Sequence, residues 1–194
     1  GVNSRGRVTA EEVTGGFARV YKALTVFEDN GPVRRGYYVD GLGGAQFASP
    51  ATVDELRRHA LPDRKPPREA TILAATDPAN PYGAALEWPR SRDAEAGHRP
   101  GRKPGALVVL VDGELVCFVE RGGKTLLTFT DSIPALESAA GALVALVRAG
   151  RISRLTIDQI DSEPVRGTDF GKVLVEAGFA TTPRGIRLRY GTHA

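Results

Sequence analysis

The residues best suited to chemistry lie in the stretch ATDPANPYG, where Asp77, Asn80 and Tyr82 place a carboxylate, an amide and a phenol close together in sequence. Projecting from one rim, such a set can orient a water molecule. The carboxylate would take its proton or stabilise positive charge developing on a sugar, and the phenol offers a stacking face to an extruded base. A plainer alternative is that Asp77, standing before Pro78, opens a type I turn and bonds its own backbone. Trp88 is either a second stacking platform or, as is commoner for a lone tryptophan after a strand, part of the core.

Few other chemistries find the residues they need. There is no Walker lysine loop, no GxGxxG after a strand, no HExxH and no CxxC, which excludes nucleotide hydrolysis, dinucleotide redox work and zinc chemistry as readings of this chain. His59, His98 and His193 are too widely separated for ligand spacing. Cys117 lies in an apolar run and reads as a buried, inert thiol. No metal and no cofactor is therefore expected here.

Cations form the second group of candidates. With 26 Lys and Arg against 23 Asp and Glu in 194 residues, the net charge is +3. The isoelectric point near 9.2 fits a polyanionic partner. Arg34 and Arg35 are adjacent at the start of a hairpin; Arg19 and Lys22 lie on the helix before it. Gln46, on the return strand, either bonds an adenine edge or a backbone group, or is, as is commoner, a strand-facing glutamine on a solvated wing. Arg102 and Lys103 close a basic segment, Pro89 to Pro104, that contains almost nothing apolar and reads as an exposed loop. In the last strand Arg187 and Arg189 alternate with Ile186, Leu188 and Tyr190, which makes the outer face cationic.

The elements that position these groups follow from periodicity. Phe17, Val20, Tyr21, Leu24 and Phe27 predict a helix with one apolar stripe, stopped by Asn30, Gly31 and Pro32. Strands over Val33–Val39 and Ala45–Ala48 are joined across a glycine-rich tip, Asp40 to Gly44. A helix followed by such a hairpin is the second half of a winged helix, whose helix enters the major groove and whose hairpin rests on the DNA backbone in DNA-binding versions. Other winged helices only pack against protein modules. A short helix over Val8–Val13 with Thr9 as N-cap precedes it; a complete winged helix needs one more helix upstream, so a longer parent chain is expected. A helix from Pro50 to Ala60 closes this module, residues 1–60, and the proline-rich Leu61–Arg68 is the linker.

From residue 69 to 194 the pattern changes to strands. Thr71–Ala75, Ala84–Trp88 and a meander over Ala106–Val111, Glu114–Arg121 and Lys124–Thr130 are predicted, with hairpin turns at Asp112-Gly113 and Gly122-Gly123. A helix starts at Ser132 and Pro134 and ends at Gly150. A strand Leu155–Ile160, a helix Asp169–Ala177 and a strand Gly185–Tyr190 follow. Apolar residues on both strand faces point to a barrel or to a sheet covered by a helix. The expected fold is α+β: a partial winged helix, then a small antiparallel β-barrel or bent sheet with two packed helices. No apolar run is long enough to cross a bilayer and no signal pattern opens the chain, so a cytoplasmic location is expected.

Four separated segments carry a family likeness: GGFARVYKALTVFEDNGPVRRGYYVDGLGGAQFA, LAATDPANPYGAALEWP, HRPGRKPGALVVLVDGELVCFVERGGKTLLTF and GFATTPRGIRLR. Together they resemble the C-terminal end of the large bacterial Lhr helicases, over Val8 to Arg189. The resemblance implies the last winged helix and β-barrel module of an ATP-dependent DNA-repair helicase, with the motor, its ATP and its Mg upstream. That distal region resembles the AlkZ-type DNA glycosylases, and the family is associated with uracil removal and with tetramers. The Gln-x-Gln type motif of AlkZ-like enzymes belongs to an upstream winged helix and does not occur here. The implied role is a DNA-binding accessory module, possessing or lacking a share in glycosylase chemistry. The alternative is an oligomerisation module that leaves DNA to the upstream domains.

Overall fold

The computed structural model describes residues 2–5, 8, 14–60, 69–90 and 98–191. They belong to two compact units, Gly1–Lys65 with Pro81–Glu87, and Pro66–Asn80 with Trp88–Ala194. Among the described residues no helix is long and apolar enough to cross a membrane.

In the first unit, α1 (Gly16–Asp29) leads into β1 (Arg34–Gly36), which pairs antiparallel with β2 (Gln46–Ala48), and α2 (Pro50–Ala60) follows. All three β2 residues are buried, because β2 has backbone neighbours on both sides. On its other side Asn3 forms a bridge to Phe47, with N–H···O distances of 2.8 and 3.0 Å. A two-stranded hairpin behind a helix is the wing of a winged helix, and Asn3 adds a single bridge to it from a segment whose sequence shows no strand pattern. Leu24 is the buried centre of the α1 stripe, with Phe17, Val20 and Tyr21 half-buried. Phe27, expected in that stripe, instead lies 51% exposed beside Val26 at 56%. Both stand in the last turn of the helix. The helix expected over Val8–Val13 lies outside the described residues except for Val8, which is buried; the expected linker, 61–68, lies outside them entirely.

The second unit is a bent, open sheet system. β3 (Ala70–Ala74), β4 (Leu107–Val111), β5 (Glu114–Val119) and β6 (Thr125–Thr128) run antiparallel in sequence order. The two predicted hairpin turns are present, with positive φ at Asp112, Gly113, Gly122 and Gly123. After β6 the chain crosses through α3 (Ile133–Arg148) to β7 (Arg154–Ile157) and β8 (Gln159–Ile160). Only Asp158 separates these two strands, yet they serve different sheets. β8 pairs parallel with β6 and hairpins to β9 (Glu163–Pro164), whereas β7 pairs with β11 (Ile186–Arg189), itself paired with β10 (Ala180–Thr181). A short 3₁₀ turn, Val165–Gly167, and α4 (Asp169–Glu176) lie between.

The expected barrel does not form. The larger sheet has the order β3-β4-β5-β6-β8-β9, leaving β3 and β9 as open edges, and β10-β11-β7 is a separate sheet. The doubly apolar strands have another cause. One face of β4, β5 and β6, with Val109, Cys117, Val119 and Leu126, packs into a cluster with Leu136, Ala140, Leu143 and Val147 of α3. On the other face Phe118 takes the edge of Trp88 at 5.7 Å, which settles Trp88 as packing. A covering helix thus does what closure would have done. The strand expected at Ala84–Trp88 is a turn with a single bridge, Tyr82 to Leu86, because Gly83 at φ 73° and the Leu86 N–H to Pro81 carbonyl bond fold it back on itself.

Candidate nucleic-acid interface

Adjacent strand residues point to opposite faces, and Arg34 and Arg35 on β1 show the consequence. The Arg35 side chain turns back to α1. Its Nε and Nη2 donate to Glu28 Oε2 at 3.0 and 2.6 Å, its Nη1 donates to Tyr21 Oη at 2.8 Å, and its backbone N donates to Glu28 Oε1 at 3.2 Å. The guanidinium also lies 5.9 and 5.7 Å from the ring centroids of Tyr21 and Phe47, which meet edge to face. The hydrogen bonds from Arg35 hold the Glu28 carboxyl below the usual carboxylate range, and Glu28 in turn raises Arg35. Arg35, though exposed, is thus a tie between helix and wing. Arg34 is exposed and forms no ion pair among the described residues.

Arg19 and Lys22 stand exposed on α1 and likewise make no ion pair with a described residue. The α1 N-terminus has no side-chain cap and no acid in its first turn. It opens on a cleft of about 520 Å³ that Arg5, Phe17, Tyr21 and Lys22 help to line. Unsatisfied N–H groups beside cations make this end of the helix favourable to anions.

Gln46 is not on a solvated surface. It is completely buried, its Oε1 accepts from the N–H groups of Tyr38 and Val39 at 3.1 and 2.9 Å, and its Nε2 donates to the carbonyls of Val39 and Gly43 at 2.8 and 3.0 Å. A primary amide with both donors and both acceptor sites used has nothing left for a base edge. The expected adenine reader is instead the internal brace of the wing.

The ATDPANPYG stretch divides between the units: Asp77 and Asn80 belong to the second and Tyr82 to the first. Asp77 Oδ1 accepts from Ala79 N–H at 2.8 Å, the local turn bond expected of an Asp before Pro. Asn80 is buried, and its Nδ2 donates to the Ala75 carbonyl at 2.9 Å. Arg102 holds the same turn. Its Nη1 donates to the Asn80 carbonyl at 2.8 Å, and its Nη2 donates to the carbonyls of Thr76 and Asp77 at 3.1 and 3.0 Å. Arg102 is therefore a turn staple, while Lys103 beside it is exposed. Arg187 and Arg189 stand on the outer face of β11, opposite the buried Ile186 and Leu188.

One feature of the second unit has no sequence signal of its own. A cavity of about 330 Å³ is lined by Thr128, Asp131, Asp161, Glu163 and Asp169 among others. Asp161 and Ser162 adopt φ of 49° and 62° in the β8–β9 turn, and both Asp161 carboxylate oxygens accept from Thr128, one from its N–H and one from its hydroxyl. Residues so far apart in the chain carry no spacing to read. The acidic lining repels phosphate, so this cavity is no part of a nucleic-acid backbone surface.

Taken together, the fold and its exposed groups define an α+β protein in which a winged helix is joined to a helix-covered sheet module. The family model for "Large helicase-related protein, winged-helix domain" matches residues 1–68. A protein of Mycolicibacterium smegmatis named Lhr helicase/probable uracil glycosylase is 53% identical over 198 residues, covering 97% of this chain and 13% of its own length. The Escherichia coli protein named Lhr helicase/uracil glycosylase is 38% identical over 189 residues, covering 96% of this chain and 12% of its own. This chain thus spans about an eighth of the relatives it matches. It belongs to the Lhr family, as part of the C-terminal region.

Proposed function

We propose that this chain is a DNA-engaging accessory module of an Lhr-type repair helicase, and that its winged-helix unit contacts the phosphate backbone through Arg19, Lys22 and Arg34. The observation that carries the reading is the division of labour in the wing: Arg35 of β1 is tied to Glu28 and Tyr21 and buried Gln46 of β2 braces the hairpin, which leaves Arg34 outward on a rigid support. The uncapped start of α1, with Lys22 in its cleft, adds a second anion-favouring point on the same unit. ATP and Mg would be handled by motor domains elsewhere in the parent protein, and self-assembly would bring several such modules together.

The test is a salt titration of affinity for duplex and single-stranded DNA. Affinity should fall steeply with salt, and Lys22→Glu with Arg34→Glu should lower the log–log slope by roughly one for each lost phosphate contact. Absent binding, alongside a stable oligomer in light scattering, would give the structural alternative instead.

A second reading keeps glycosylase chemistry, favoured by the pinned turn that carries Asp77 and by the names of both relatives. In it a water oxygen bonds to the sugar C1′, the N-glycosidic bond breaks with its electron pair leaving on the base, and Asp77 accepts the water proton. Asn80 and Arg102 would hold the turn. In the parent protein, acting on uracil-containing DNA, Asp77→Asn is expected to excise at least roughly 100-fold more slowly. Excision at the wild-type rate removes Asp77 from the chemistry.

A further inference from the structure

The smaller sheet of the second unit carries a cationic outer face. β11 and β7 pair so that Arg189 lies directly opposite Arg154, and Arg187 opposite Thr156. Their inward neighbours Leu155, Ile157, Ile186 and Leu188 are all buried, so the two arginines of β11, Arg154 and Thr156 share the outer face. Arg151 precedes β7 and Arg184 lies in the β10–β11 turn, both exposed. Segments 151–158 and 180–191 together contain five arginines, no lysine and one acid, Asp158 at the far end of β7. Among the described residues no salt bridge involves Arg154 or Arg187.

We infer that this face is a second nucleic-acid contact, separate from the winged helix, that takes the sugar–phosphate backbone without reading sequence. The choice of side chain argues for phosphodiester. Arginine's planar fork meets two oxygens of one phosphate, where lysine offers a point charge, and this face uses arginine throughout. Spacing agrees: successive outward residues on one strand are roughly 6.7 Å apart, on the scale of neighbouring phosphates in an extended strand. The inference shares with the proposed function only the class of ligand, since its residues all belong to the other unit.

The decisive variant is Arg154→Glu in the 194-residue chain, at an exposed position of β7. Arg154 is exposed, so the thermal midpoint should stay level and a change in affinity reports on contact rather than on folding. Affinity for a single-stranded oligonucleotide, measured by anisotropy, should fall roughly tenfold near 0.1 M salt, with the log–log salt slope smaller by about one. A duplex of the same sequence, run beside it, shows which form of the backbone the face prefers. Arg34→Glu on the wing serves as the companion. If Arg34→Glu weakens binding and Arg154→Glu leaves affinity and slope unchanged, this inference is overturned while the wing reading stands. If Arg154→Glu alone weakens binding, the wing reading fails and this one holds. Loss of binding to anionic lipid vesicles with DNA affinity unchanged would also overturn it.

Discussion

Gln46→Ala is expected to lower the stability of the winged-helix unit by about 3 kcal/mol and to leave the wing without its fixed path. The side chain removed is completely buried and satisfies four backbone groups of the hairpin, two N–H donors and two carbonyls, between residues 38 and 43. Each buried polar group left without a partner costs about 1–3 kcal/mol, and water entering at the tip recovers part of the total. In a unit of this size a loss of 3 kcal/mol moves the thermal midpoint by roughly 10–20 °C. Hydrogen exchange gives the sharper readout. The amides of Tyr38 and Val39 should lose protection far beyond any change at Arg35, whose amide is held separately by Glu28. DNA affinity should fall with it, since Arg34 would lose its rigid support. Unchanged protection at Tyr38 and Val39 would show that the turn residues hold the wing without Gln46.

Most of the elements were legible in the sequence because they rest on local signals. The α1 helix, the hairpin turns at Asp112-Gly113 and Gly122-Gly123 and the Ser132-Pro134 entry to α3 are matters of neighbouring residues, and each appears where the pattern predicts it, with Phe27 alone of the α1 stripe left exposed. What the sequence withheld was pairing. Asn3 joins β2 across more than forty residues through backbone groups alone, leaving no side-chain trace. The apolar run Leu155–Ile160 is one strand by composition, and only its partners show that it is split at Asp158 between two sheets. A strand apolar on both faces says that both are covered without saying by what, so a barrel and a helix-backed open sheet read alike.

The candidate site was legible in residue type and illegible in allegiance. Arg34 and Arg35 are indistinguishable in sequence; the acid at Glu28, seven residues earlier, decides which of them is spent internally. Arg102 reads as one more cation in a basic loop, and only the fold supplies the three carbonyls that hold it. Gln46 sits in a stretch with the composition of a solvated wing, but the wing bends back over it. By contrast the local turn bond of Asp77 depends on residues two apart and was readable directly.

A pair of identical substitutions should have opposite signs, and the larger of them is the strongest test of how α4 docks. At Gly171 an added Cβ would fall 1.8 Å from the Val165 carbonyl oxygen and 2.9 Å from Thr168 Oγ1. Neither neighbour can give way cheaply. Val165 is a buried residue of the 3₁₀ turn, and Thr168 Oγ1 both accepts from Gly171 N–H at 3.0 Å and donates to the Val165 carbonyl at 2.9 Å. Gly171→Ala therefore has to push the 3₁₀ turn away from the start of α4 and break the Thr168 cap, and it drags Phe170 and Leu174 from the core with it. The expected cost is about 3 kcal/mol or more. Gly141 is also helical, in the middle of α3, but it is exposed and a Cβ there meets nothing within 4 Å. Gly141→Ala should stabilise the same unit by about 0.5–1 kcal/mol, the ordinary gain of removing a glycine from a helix interior. Denaturant melts of the two variants beside wild type decide the matter. A Gly171→Ala midpoint level with wild type would mean that α4 does not sit against the Val165 carbonyl as the contact distances require.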